Sequence, residues 1–174
     1  ICNENGINFN SNEEINNKPD IAVTLCNIGI VYNSQKDFQK ALEYIIKANK
    51  IDEEMGNKSG IAANLGDIGE LYRNLNNPQK ALEYLSKSLQ LYKELGDKNG
   101  IARELGNIGV IYSQQKNYGK ALEYHLESLE ISEELGVKVE TAASLGNIGA
   151  IYLETAKDTT TGKYDFAALR KAKM

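Results

Sequence analysis

The chain has 174 residues, with 20 Lys+Arg against 24 Asp+Glu, a net charge of −4 and a pI near 5.2. That balance argues against a duplex nucleic-acid binder, which needs a basic footprint, and no run approaches the roughly 18 apolar residues of a membrane span. At 41% apolar and 25% charged the chain has a globular rather than a disordered composition, and scarce Pro with abundant Ala, Leu, Glu and Lys predicts helices.

In chain order, residues 1–21 come first. Seven of the first 17 are Asn, and apolar periodicity is weak. Yet Asn17-Lys18-Pro19-Asp20-Ile21-Ala22 matches Asn57-Lys58-Ser59-Gly60-Ile61-Ala62, so this leader reads as the degenerate tail of a preceding unit. Ile1 rather than Met opens the chain, which reads as a fragment or a processed product.

Self-comparison then divides the chain into units 22–61, 62–101, 102–141 and 142–174. Asn27-Ile28-Gly29, Asp67-Ile68-Gly69, Asn107-Ile108-Gly109 and Asn147-Ile148-Gly149 recur every 40 residues. Tyr32, Tyr72, Tyr112 and Tyr152 follow at the same period, and Lys-Ala-Leu-Glu-Tyr fills 40–44, 80–84 and 120–124. In the first unit, Leu25, Ile28, Val31 and Tyr32 form one helical stripe and predict a helix from about residue 20 to 33. Ala41, Leu42, Ile45, Ala48 and Ile51 predict a second, over about 38–55, closed by Gly56. Gly96 and Gly136 repeat that stop.

A glycine inside a helix costs about 1 kcal/mol relative to Ala. Gly29, Gly69, Gly109 and Gly149 therefore predict close helix crossings, opposite the small residues Ala41, Ala81, Ala121 and Ala167. Unit four carries a polar insertion near 157–163, which delays Tyr164 and Ala167, and it stops at Met174 part-way through its second helix. The uncapped end reads as a chain that continues, and as a surface for self-association. Neither helix of a unit can bury its apolar stripe alone, so the units stack into an all-α, quasi-one-dimensional array.

The string Leu-x-x-Ile-Gly-x-x-Tyr, then an aromatic such as Phe38 or Tyr118, then Ala three residues on, resembles the tetratricopeptide repeat. The usual period is about 34 residues; this longer form is similar to repeats of Partner of Inscuteable proteins, kinesin light chains and bacterial regulatory arrays. The resemblance implies a right-handed α-solenoid of antiparallel helix pairs. It also implies a non-catalytic scaffold that takes a protein or peptide in its concave groove, without a cofactor. The ligand is a separate chain or another segment of the same full-length protein. Two rival readings stay open: a sensory segment of a larger signalling enzyme such as a sensor kinase or cyclase, and a structural or oligomerisation spacer.

The residues offer little other chemistry. Cys2 and Cys26 read as free thiols. His125, the single histidine, lies on a core-facing position and reads as packing. No phosphate loop, zinc set or nucleophile–base set can be assembled. What remains is the polar row Asn27, Asp67, Asn107 and Asn147, beside the small residues Cys26, Gly66, Gly106 and Gly146, which are expected to leave room for a ligand to approach. Asn both donates and accepts. The resemblance implies that such a row holds the backbone of an extended peptide, although the acid Asp67 cannot donate. The alternative is that these amides brace neighbouring helices. Positions that differ between units, among them Ile30, Glu70, Val110, Arg73, Arg103 and Ser113, are the expected specificity residues. Arg73 and Arg103 meet ligand carboxylates or pair locally with Asp67 and Glu70.

Overall fold

Helix boundaries follow from caps that recur with the repeat. The computed structural model describes residues 11–157. Among them it has seven helices: α1 (Ser11–Ser34), α2 (Phe38–Met55), α3 (Lys58–Asn74), α4 (Pro78–Leu95), α5 (Lys98–Gln114), α6 (Tyr118–Leu135) and α7 (Lys138–Lys157). None of the described residues is in a strand. Asp37, Asn57, Asn77, Asp97 and Asn117 each accept a bond from the backbone N–H three residues on, at 3.1–3.4 Å. Such a cap contributes about 1 kcal/mol. Gly56, Gly96 and Gly136 end α2, α4 and α6 in the left-handed region, with φ of 68–69°, where a side chain would be strained.

One boundary differs from the sequence expectation. α1 begins at Ser11 rather than near residue 20 and passes through Pro19. The position of the helix-ending Gly56, Gly96 and Gly136 is held by Asn16, so no glycine breaks the segment. Pro fits the helical φ, while inside the helix it removes one N–H from the ladder and its ring crowds the carbonyl four residues back. Leader residues 1–10, most of the insertion, Tyr164, Ala167 and Met174 lie outside the described residues.

Helices pack as successive hairpins, α1 on α2, α3 on α4 and α5 on α6, with each second helix also packed on the next first helix. The core is correspondingly serial. One cluster joins Ala41 and Ile45 of α2 to Ile68 and Leu71 of α3. The next joins Ala81, Leu85 and Leu89 of α4 to Leu105, Ile108 and Ile111 of α5. Tyr32–Tyr44, Tyr72–Tyr84 and Tyr112–Tyr124 stack at 5.4–5.5 Å beside the crossings.

Gly29, Gly69 and Gly109 do mark close approaches, but chiefly to a different partner from the one expected; Ala167, the partner expected for Gly149, lies outside the described residues. A Cβ at Gly29 would lie 2.6 Å from Ile45 Cγ1, and one at Gly69 2.6 Å from Leu85 Cγ; the Ala41 and Ala81 carbonyl oxygens are further, at 3.3 and 3.2 Å. At Gly109 the neighbour is the His125 ring, at 2.7 Å. His125 thus occupies the core position of Ile45 and Leu85, as the pattern predicted. It is fully buried, and neither ring nitrogen has a hydrogen-bond partner.

Candidate functional site

The first helices line the inside of the stack. α3 touches α5, and α5 touches α7, whereas no second helix makes a comparable contact with another. Elements on the inner side of a curved array crowd together and those outside spread. Between α5 and α7 this inner side forms a groove of about 230 Å³. Arg103, Gly106, Asn107 and Val110 line it from α5, and Ala143 and Asn147 from α7. Its floor is held by Ser128, whose hydroxyl donates to the Ala102 carbonyl at 2.7 Å and accepts from Ser144 at 3.2 Å.

Four sequence-predicted residues therefore meet in one groove: Asn107, Asn147, Arg103 and Val110. Asp67 and Glu70 stand beside it, close enough for Glu70 and Arg103 to act on the Asp67 carboxyl. Burial and the Glu70 charge push that carboxyl up to about 6, and Arg103 opposes them. Asn27 and the 54%-exposed Ile30 stand apart on α1, where Asn27 borders a separate groove with Ile28 and Val31. Arg73 and Ser113 sit half-buried near the ends of α3 and α5, outside the groove lining. Arg73 makes no ion pair among the described residues, and the Ser113 hydroxyl is buried without a partner.

Among the described residues, none of the three asparagines makes a side-chain hydrogen bond to a neighbouring helix. Asn107 donates to Glu104 Oε2 of its own helix at 3.3 Å. Asn27 and Asn147 have no side-chain hydrogen bond among the described residues.

Arg103 pairs locally, but not with Asp67 or Glu70. Its guanidinium donates to the Tyr92 hydroxyl at 2.8 Å and to Glu104 Oε1 at 3.1 Å, 5.4 Å from the Tyr92 ring centroid. Glu104 is fully buried, and burial lifts its carboxyl above the ordinary range despite Arg103 and Asn107. This carboxylate also fills the space expected to admit ligand at Gly66: a Cβ there would lie 2.6 Å from Glu104 Oε1. The corresponding space at Cys26 is closed as well. Its thiol donates to Asn64 Oδ1 at 3.0 Å. Burial, then Asp67 and Asp52, push it up to about 11, so it stays protonated at neutral pH. Among the described residues Gly106 and Gly146 keep open space: a Cβ at Gly106 meets just Ser128 Oγ, at 3.6 Å, and one at Gly146 meets none of them within 4 Å.

Glu104, Tyr92 and Asn64 were missed in the sequence. Their signal was a polar row, Thr24, Asn64, Glu104 and Ser144, at positions that a helical stripe assigns to the core. Asn64 is held by Asp52, which accepts its amide at 2.7 Å and that of Asn57 at 2.7 Å. A second signal was glycine at 60 and 100, where a Cβ would lie 2.6 Å from Asp52 and would run into the Tyr92 ring.

The chain is similar in fold to three solved structures. BtubC (BKLC) from P. vanneervenii matches with a TM-score of 0.73 and 21% identity, over 90% of this chain and 63% of that one. The apo form of RapI matches with a TM-score of 0.73 and 22% identity, over 90% and 42%. The N-terminal domain of stress-induced protein-1 from C. elegans matches with a TM-score of 0.56 and 22% identity, over 72% and 96%. This chain thus spans less than two thirds of the first two. No curated protein matches it. The family model described as tetratricopeptide repeat matches residues 20–94 and 100–159. With that match laid over helix pairs repeating every 40 residues, the chain belongs to the tetratricopeptide-repeat family and is an α-solenoid of that type.

Proposed function

We propose that this chain is a non-catalytic scaffold that binds an extended peptide or protein segment along the concave face, with the α5–α7 groove as its principal site. Repeats of this family mediate protein–protein contacts. The observation that supports the reading is the Asn147 amide, which has no partner among the described residues, beside Asn107 and the open space at Gly106. An amide that donates and accepts can hold a ligand backbone whatever its side chains. Val110 and Ala143 add an apolar wall, and the half-exposed Arg103 offers its remaining donors to an acidic ligand residue.

The test uses peptides selected by display on the wild-type chain. Replacing Asn107 and Asn147 together with Ala removes two backbone-binding amides, each worth about 0.5–1.5 kcal/mol net. Affinity is expected to fall roughly 5- to 150-fold, with the melting midpoint lowered only slightly, because Asn107 gives the buried Glu104 a long 3.3 Å bond while Arg103 still pairs with it, and Ala is the better helix former. Full affinity combined with a clearly lower midpoint would refute the reading.

A further inference from the structure

Each second helix meets the next first helix at a junction whose repeat positions can be compared one by one. At α2–α3, the buried Asp52 accepts from Asn57 and Asn64, both at 2.7 Å. At α4–α5, the buried Glu104 accepts from Arg103 at 3.1 Å and from Asn107 at 3.3 Å. Both acids have the side-chain donors that a buried acid needs. The α6–α7 junction differs at all three corresponding positions. Ser132 stands for Asp52 and Tyr92, Ser144 for Asn64 and Glu104, and Glu140 for Gly60 and Gly100. Ser144 gives its hydroxyl to Ser128 at 3.2 Å, and Ser132 gives its own to the Leu129 carbonyl at 3.0 Å. Neither serves the acid. Glu140 therefore holds a carboxylate oxygen, Oε2, shut off from water without a hydrogen-bond partner, and it makes no ion pair among the described residues.

Glu140 also lines the α5–α7 groove, on the α7 wall with Ala143 and Asn147. The whole lining belongs to three consecutive helices, α5, α6 and α7, so the groove is internal to the array. Its own cation does not meet the acid: Arg103 is held by the Tyr92 hydroxyl and Glu104. The surroundings are acidic as well. Glu70 stands close enough to act on both Asp67 and Glu104, with Arg103 opposing it. A wall of that sign attracts cations and repels anions.

We propose that Glu140 is a specificity residue of this groove and takes a cationic group of the bound peptide, a lysine or arginine side chain or a free amino terminus. The inference rests on the peptide-binding reading above. The ligand supplies at the third junction the donors that Asn64 and Arg103 supply at the first two. Rotation about the last side-chain bond of a glutamate is broad and roughly two-fold, so either oxygen turns to the groove. Glu140 also lies in the first turn of α7, where an acid suits the helix dipole. That role alone would leave the charge of the peptide without effect.

The test selects short random-sequence peptides on the wild-type chain, with free or acetylated amino termini. Binders should carry Lys or Arg at one fixed position, or a free terminus whose acetylation weakens binding; the comparison separates the two sources. Glu140→Gln keeps the shape of the side chain and should cost these binders about 10- to 100-fold in affinity, with the melting midpoint held. Neutralising the cation of the peptide, which requires no variant of the protein, should cost as much. Both changes together should cost little more than one, because they break the same contact. Binders without a preferred cation, cationic binders that keep full affinity for Glu140→Gln, or losses that simply add overturn the proposal. Where such binders still weaken with Asn107→Ala/Asn147→Ala, the groove reading stands without it. A selection that yields no binder, or binders indifferent to all three residues, overturns both.

Discussion

The junction between α2 and α3 and the junction between α4 and α5 use the same repeat positions for different chemistry. At the first, Asp52 is 4% exposed and accepts from Asn57 and the buried Asn64, while Asn64 accepts the Cys26 thiol. At the second, Tyr92 stands at the Asp52 position and Glu104 at the Asn64 position, and Arg103 ties the two together. Both bury a carboxylate. The first satisfies it with amide hydrogen bonds alone, the second with the Asn107 amide and a guanidinium that still reaches water. The Gly60 and Gly100 backbones admit Asp52 and Tyr92. The periodic apolar frame is thus common to all units, while each junction carries its own polar lock. A unit placed against the wrong neighbour would leave buried groups unpaired, at about 1–3 kcal/mol each.

Breaking the first lock should produce the largest effect. Asn64→Ala removes one of the two side-chain donors on the buried Asp52 and the acceptor of the Cys26 thiol. The expected loss is about 2–4 kcal/mol, or roughly 5–15 °C in melting midpoint. Truncating Arg103 at the second lock should cost less, since its side chain is 48% exposed. Equal losses at both sites would contradict the distinction between them.

A second change tests whether polar burial needs its lock. His125 sits in the frame rather than in a lock, with both nitrogens unpartnered. His125→Leu restores the residue type of Leu85 and should raise stability by about 1–3 kcal/mol. Burial holds the His125 pKa below its ordinary value. The unfolded chain therefore takes up its proton first, and wild-type stability falls as pH drops below about 6.5. Urea titrations at pH 7 and pH 5 should show that dependence weakened in the variant.

The smallest expected effect lies between the two locks. Asp67, with its carboxyl pushed up to about 6 against an ordinary 3.8, holds a proton more tightly folded than unfolded. On its account stability rises as pH falls from about 6 towards 4, opposite in sign to His125. Asp67→Asn removes the penalty and should stabilise the chain at pH 7–8 by about 1 kcal/mol, allowing for its partial exposure. It also completes the amide row. A destabilised variant at pH 8 would show that the carboxylate is structurally required.

Fold class, repeat length, turn sites and core stripes were all legible in the residues. They are local or strictly periodic: caps act within four residues, a helical stripe shows in the 3–4 spacing, and the 40-residue period repeats each choice. The buried packing of His125 was legible for the same reason. The candidate site was legible only in part. The amide row could be found because it recurs, and its open stretch beside Gly106 could be anticipated from missing side chains. That Gly66 leaves no space, and that Arg103 is bound to Tyr92 and Glu104, could not be read there. Those contacts join residues of different helices, and Tyr92 and Glu104 are exceptions to the repeat rather than instances of it. The length of α1 went unread because Asn16 permits either a turn or continued helix. What the sequence by itself determined was the periodic frame, since hydrophobic burial and capping depend on residue type and spacing. Only the tertiary structure decided which parts of the concave wall stay open, because that depends on which long polar side chain reaches across a junction to a partner.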